Sequence, residues 1–385
     1  MKHNSHPLII LTAALMLGSC ASNELSISLE NPLNIQRNSA LVEIQRSDIE
    51  AYLDCSSPIM VMGPKDHSAL PVQFLDLNQD DEWETLLLQV SMEAQERFNI
   101  LLSNSNELLE SDASKVNGRF VPERKDDFAW ENDRIAFRMY GPALEATGEI
   151  SSGIDVWVKR VEYPIIDKWY ASGKYHSDNG EGADLYKVGP TLGCGGLGLL
   201  FEDTLYTSKN FTEYRILAEG PFHFVFELDY ETWGPDSLRI SETKRISLDA
   251  GQHFNHISSE LTFSTTLPET MEMVTGLVAH PILSENPVSI YSSDDYMILY
   301  EGFKDPNGFL GTAIIRQPLP AKQALKKYGD QFLMVVPMTP DGTISYYAGA
   351  AWSKSPWINS EEDWQNHVKT FEQQLNHPIQ VTFKH

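Results

Sequence analysis

Apolar and polar positions alternate with a period of two along most of the chain, which is the mark of strands with one face buried. Such runs fall at 40–44, 71–77, 85–90, 135–140, 154–161, 197–201, 214–217, 222–230, 237–247, 256–263, 289–299, 312–315, 331–336 and 343–350. Clusters of Gly, Pro, Asn and Asp separate them, and Leu217-Ala-Glu-Gly-Pro221 and Leu248-Asp-Ala-Gly-Gln252 read as tight reversals. The period changes once, at 361–375, where Trp364, Val368, Phe371 and Leu375 share one helical face. Ser360 and Asp363 form a capping box for that helix. A strand at 379–383 should follow, with Trp364 in the core. These elements predict a mainly β protein, a large antiparallel sandwich with one C-terminal helix packed on it. The polar stretch 104–124 is the expected boundary between an N-terminal β region (20–125) and a C-terminal sandwich bearing the site (126–385), which can also form one continuous domain.

The first residues follow a different logic. Lys2 precedes an apolar run from Pro7 to Leu17 that is too short to span a bilayer and ends in Leu17-Gly18-Ser19-Cys20. This resembles a lipoprotein signal, with residues 1–19 removed and Cys20 lipidated. Ser22, where Asp would favour inner-membrane retention, directs the expectation to an outer-membrane anchor facing the periplasm. The chain is then anchored rather than spanning.

Composition narrows the partners. Apolar residues make up 42% of the 385, as in globular proteins. A net charge of −25 excludes nucleic acid, which needs a basic footprint. An anionic substrate would have to be drawn in by local cations. Cys55 and Cys194 are either a disulfide or two buried thiols. No CxxC or HExxH supports zinc. Asp76-Leu-Asn78-Gln-Asp80-Asp81-Glu82 resembles the start of a calcium loop but has Asp81 at the turn glycine and Leu87 at the twelfth position. It reads as an acidic turn, with calcium the one alternative to an absence of cofactors. His253 and His256 flank a hairpin and read as surface histidines.

Chemistry concentrates between Gly173 and Gly196, where Lys174, Tyr175, His176, Asp178, Glu181, Asp184, Tyr186 and Lys187 sit among seven glycines. Glycine lets backbone approach a ligand or adopt positive φ, so this segment reads as the lining of a site. Connecting two strands is its alternative role.

Several motifs carry a resemblance: Asn132-Asp-Arg-Ile-Ala-Phe-Arg138-Met-Tyr140-Gly-Pro142, Ser152-Gly-Ile-Asp-Val-Trp157, Ile166-Asp-Lys-Trp-Tyr170, Tyr175-His176-Ser-Asp178-Asn-Gly-Glu181-Gly and Val188-Gly-Pro-Thr-Leu-Gly-Cys-Gly-Gly196. They are similar to a bacterial family long described as a domain of unknown function. Its members lie among polysaccharide-degradation genes and include an ulvan oligosaccharide dehydratase. The resemblance implies elimination of water across C4 and C5 of a terminal uronate, and a sandwich of the mutarotase-like kind. Such a reaction needs a cation on the carboxylate, a base for the C5 proton and an acid for the leaving oxygen.

The residue types are available. Arg138 can fork onto a carboxylate, or pair structurally with Asp133 or Glu145. His176 is the expected base, or else a loop histidine satisfied by Asp178 or backbone. Tyr186 is the expected donor and His280 the second base or a substrate ligand. Tyr140, Lys174, Tyr175, Glu181, Asp184 and Trp352 are expected at the acidic oligosaccharide, with Lys187 offsetting the acidic field and Trp169 in the core. A uronate lyase and a non-catalytic glycan-binding lipoprotein are the competing expectations.

Overall fold

The computed structural model describes residues 24–64, 68–105, 113–266, 268, 270–280, 288–304, 307–318 and 325–384; the signal segment and Cys20 lie outside them. The largest sheet has eight antiparallel strands in the order Phe211–Glu219, His223–Tyr230, Ile240–Asp249, Phe254–Phe263, Thr343–Trp352, Phe309–Arg316, Tyr296–Gly302 and Ser289–Ser292. A five-stranded sheet, ordered Gly182–Asp184, Asp155–Lys159, Ile135–Met139, Asp127–Asn132 and Val116–Val121, packs on it. Another five-stranded sheet centres on Cys194–Phe201 and Glu272–Val278. Side chains from all three sheets form one core, in which Trp130 and Phe137 meet Phe226, Ile246, Leu199 and Leu277. Phe128 stacks on Phe226 at 4.3 Å, and Trp130 Nε1 donates to Asn255 Oδ1 at 2.7 Å. The protein is therefore mainly β, a large antiparallel sandwich.

A separate cluster joins Ile27, Val42, Ile44, Leu86, Leu88 and Ile100, with Val381 and Phe383 packed against it. Gln380–Lys384, the last described strand, pairs with the first, Glu24–Glu30. Val116–Val121 pairs with Asp127–Asn132, which ties the polar stretch around residue 120 into the sheet that carries the site.

The helix spans Glu361–Asn376 with Ser360 Oγ accepting from Asp363 N at 3.1 Å. Asp363 returns its carboxylate to Asn359 N at 3.3 Å rather than to Ser360, one residue short of a full capping box. Trp364 is buried and stacks on Phe254. Among the described residues no helix is long and apolar enough to cross a membrane.

Two expectations need correction, and one pair of alternatives is resolved. The run 289–299 is a hairpin, Ser289–Ser292 against Tyr296–Gly302, because the polar Ser293–Asp295 segment turns the chain. Of the two alternatives for Cys55 and Cys194, the structure has the buried free thiols. His253 and His256 are not surface residues: His253 is buried among Trp357, Trp364 and His367, and His256 Nε2 meets Ser345 Oγ at 2.7 Å.

Candidate active site

The sequence Ile135-Ala-Phe-Arg-Met139 forms a strand with every residue buried. Alternation sends Ile135, Phe137 and Met139 into the sandwich core. Ala136 and Arg138 face the other way, where Ala136 joins Trp157, Trp169 and Tyr175 in a smaller cluster. The short helix Ile166–Ser172 and the glycine-rich segment cover that outer face. A guanidinium is thus placed between a sheet and its covering loop.

Its partners come from cross-strand register. Arg138 lies opposite Asp155 on the neighbouring strand, and Asp155 Oδ2 accepts from Nε at 2.9 Å and contacts Nη2 at 2.6 Å. Nη2 also donates to Asp184 Oδ2 at 3.0 Å and to the Tyr140 hydroxyl at 3.3 Å, while Nη1 reaches Asp127 Oδ2 at 3.5 Å. Three aspartates therefore surround one buried arginine. Burial, opposed by Arg138, pushes the Asp127 carboxyl up to about 6. Burial and then Asp155 hold Asp184 well above the ordinary carboxylate range, against Arg138.

Asp184 reaches this cluster through one glycine. Gly182 has φ of +145°, and a Cβ there would lie 2.0 Å from the carbonyl oxygen of Val158. This close approach lets Gly182–Asp184 pair with Asp155–Lys159, setting Asp184 opposite Trp157. Asp184 N also donates to Tyr175 O at 2.7 Å, which fixes the residue before His176.

His176 is held by its Nδ1, 3.2 Å from Asp184 Oδ2, with 61% of its side chain exposed. Nε2 is the nitrogen left for a ligand. Burial lowers its pKa below the usual 6.5, and repulsion from Arg138 and Arg124 lowers it further. The imidazole is consequently neutral at neutral pH.

These groups open onto a cavity of about 770 Å³ lined by Arg138, Tyr140, His176, Asp184, Tyr186, Lys187, Lys304 and Asn307. A second cavity of about 550 Å³ meets it across Arg138, Tyr140 and Gly189. Lys187 and Lys304 are exposed and make no ion pair among the described residues.

Arg138, Tyr140, His176, Asp184, Tyr186 and Lys187 thus converge as a set. Others take different roles. Arg138 does not pair with Asp133 or Glu145, and its nitrogens are taken by protein carboxylates rather than left to fork onto a substrate. Asp133 accepts from Gly251 N, and Glu145 pairs with Lys209. Asp178 pairs with Arg160, not with His176. Lys174 is exposed and lies outside both cavities. Tyr175 is buried, stacked on Trp157 at 4.8 Å. Glu181 clasps the helix, accepting from Tyr163 Oη at 2.5 Å, from Trp169 Nε1 at 3.2 Å and from Lys168. Trp352 is only 1% exposed, donates to Asn307 O at 2.7 Å and lies under Arg160, so it offers no face to a sugar. Trp169 is core, as expected.

His280 is not a free base. Its Nδ1 lies 2.7 Å from buried Glu301 Oε1 and its Nε2 2.8 Å from Lys187 O. Burial works against its charge, but Glu301 and the carbonyl outweigh that and raise its pKa. Through these contacts it anchors the Lys187 segment, and it packs edge-on to Tyr186.

Sequence reasoning missed Asp127, Asp155, Arg124 and Lys304. A signal existed for Asp155: a lone carboxylate between Ile154 and Val156 in an apolar strand must find a buried cation. The Asp76 turn is closed by its own backbone, with Asp80 N and Asp81 N donating to the Asp76 carboxylate. The Asp76, Asp80 and Glu84 carboxylates come within 4.8 Å of one another.

Comparison with known proteins places the chain in a family. A protein of Formosa agariphila named "Uncharacterized protein P7" is 33% identical over 399 aligned positions, covering 98% of each chain. Two solved structures from Enterococcus faecalis share the fold. An alpha-mannosidase from strain V583 covers 94% of this chain with a TM-score of 0.53 at 10% identity. A glycosyl hydrolase family 38 protein covers 94% with a TM-score of 0.53 at 9% identity. This chain spans only 46% and 48% of those two, and the likeness is one of fold. Residues 29–381 match the family described as "Domain of unknown function (DUF4861)", and the chain belongs to it.

Proposed function

We propose that the protein is a carbon–oxygen lyase that dehydrates uronic-acid oligosaccharides of the ulvan type at the non-reducing end. Neutral His176, oriented by Asp184, takes the C5 proton through Nε2. The electron pair left at C5 forms the C4–C5 double bond, and Lys187 and Lys304 stabilise the charge that develops on the carboxylate. The C4 hydroxyl leaves as water after receiving a proton from a tyrosine. Tyr140 suits that step better than Tyr186, because Arg138 Nη2 donates to its oxygen and leaves the phenolic O–H for the cavity. Burial and Asp155 outweigh Arg138 and hold the Tyr140 hydroxyl above its usual pKa, so its phenolate is transient and takes a proton back from solvent while the His176 imidazolium gives its own up. Carried outside on a Cys20 anchor at the outer membrane, the enzyme would meet oligosaccharides in the periplasm.

The observation that carries this reading is the meeting of a carboxylate-held imidazole, an arginine-held phenol and two lysines without an ion pair among the described residues, in one cavity of a chain whose net charge is −25. Purified protein should turn terminal uronates into products one water lighter, with the sugar count unchanged and new ultraviolet absorbance from the unsaturated uronate. Shortened chains with the same absorbance would instead mark a polysaccharide lyase, a reading favoured by the second cavity beyond Tyr140. Binding with no new absorbance on any uronate would reduce the protein to a glycan-binding lipoprotein.

A further inference from the structure

The second cavity holds cations that take no part in the proposed proton transfers. Arg124 and Lys125 line it, together with Tyr140, Ile150 and Glu149. Arg138 forms part of the same wall but is spent on three aspartates. Among the described residues Arg124 donates only its Nε, to the Tyr175 hydroxyl at 3.3 Å. Lys125 has Glu149 at 3.7 Å, both side chains exposed, a contact that water and salt screen strongly.

The backbone here is unusual. After the turn Pro122–Arg124, Lys125 has φ of +60° and Asp126 φ of +63°, two consecutive non-glycine residues in the left-handed region. Local strain of this kind gathers at functional sites. The surroundings hold it in place: Asp126 Oδ2 accepts from Ala143 N at 3.1 Å, and a Cβ at Gly141 would lie 2.2 Å from Asp126 O. Glycine at 125 would relieve the strain but would bring no amine to the cavity. Ile150, 46% exposed at the rim, adds an apolar surface suited to a sugar face.

We propose that this cavity is a second sugar subsite, selecting a neighbouring residue that carries its own carboxylate or sulfate ester, which Arg124 and Lys125 hold. The inference rests on the reading of the first cavity as the place where the terminal uronate reacts. Because the cavities share Arg138, Tyr140 and Gly189, adjacent sugars of one chain would fill them together.

The test uses three oligosaccharide sets with the same terminal uronate and a neutral, carboxylated or sulfated neighbour. Wild type should prefer one charged set over the neutral set by at least tenfold in kcat/KM, and which set it prefers identifies the anion. Arg124→Gln and Lys125→Gln should erase that preference, the loss falling mainly on KM. Lys125→Gly should erase it too while unfolding at the same or a higher temperature, since it removes strain. Equal losses on all three sets, or no preference in wild type, would overturn the subsite. If no uronate is turned over, calorimetric binding of the same sets decides. A charged-set preference lost in Arg124→Gln upholds the subsite without the elimination reaction. Binding without preference, or no binding, rejects it.

Discussion

Oδ2 of Asp184 lies 3.2 Å from Nδ1 of His176 and accepts, at 3.0 Å, from Nη2 of Arg138. One oxygen thus orients the exposed imidazole and joins it to a buried guanidinium. The proposed base is held by a group that is itself held, the support a catalytic side chain would need to keep its geometry.

The pH profile should report this arrangement. His176 acts as a base only when neutral, and burial and the arginines lower its pKa below 6.5. kcat/KM should therefore stay level at neutral pH and fall as pH drops through a midpoint below 6.5. Replacing Arg124 by Gln removes one opposing charge and should move that midpoint upward. His176→Gln should lose about 10²–10⁴-fold in kcat with little change in unfolding temperature. An acid limb unmoved in Arg124→Gln and retained in His176→Gln would assign the limb to another group.

Arg138 should matter first for stability. Asp155 is 0% exposed, so Arg138→Met leaves a buried carboxylate without its cation, at about 3–5 kcal/mol in urea denaturation. Asp127→Asn, compared at pH 5, should be far milder, about 1 kcal/mol or less, because that carboxyl holds its proton below about 6. Equal effects of the two would show that Arg138 is not the cluster's necessary cation.

The glycines separate freedom from contact. Gly180 has φ of +94° with open space beside it, so Gly180→Ala should cost about 1–2 kcal/mol and leave turnover near wild type. Gly182→Ala must also push a methyl against Val158 O, and about 3 kcal/mol or more is expected together with loss of turnover as Asp184 shifts. Unfolding midpoints and kcat, measured side by side, compare them.

Away from the cleft, His367 and His253 pack edge to face at 4.9 Å under the C-terminal helix. Burial pushes His367 down to about 4 and His253 well below 6.5. The unfolded chain binds these protons more readily, so stability falls as pH drops from 6.5 toward 4. His367→Phe, which keeps the stack on Phe254, should gain on wild type over that window by up to roughly 3 kcal/mol. Parallel curves for the two proteins would show that His367 does not titrate with unfolding.

Much of the fold was legible because alternation is a local property. Strands such as Ile135–Met139 and Thr343–Trp352 bury hydrophobic faces against one core, and the helix Glu361–Asn376 announces its cap and its apolar stripe. Asp127–Asn132 escaped notice for a physical reason: all six residues are buried, and Asp127 and Glu131 point at cations instead of water. Its pattern therefore imitates a loop. Trp352 and Tyr175 read as sugar platforms, yet both rings are consumed by packing.

The amino-acid order alone determined the β class, the closing helix and the segment where chemistry collects, since each depends on neighbours a few positions apart. Only the tertiary structure decided that Arg138 meets Asp127, Asp155 and Asp184, and that Asp184 presents His176 to the cleft. Those meetings depend on which strands pair and in what register, and a one-residue slip would turn every one of these side chains to the opposite face.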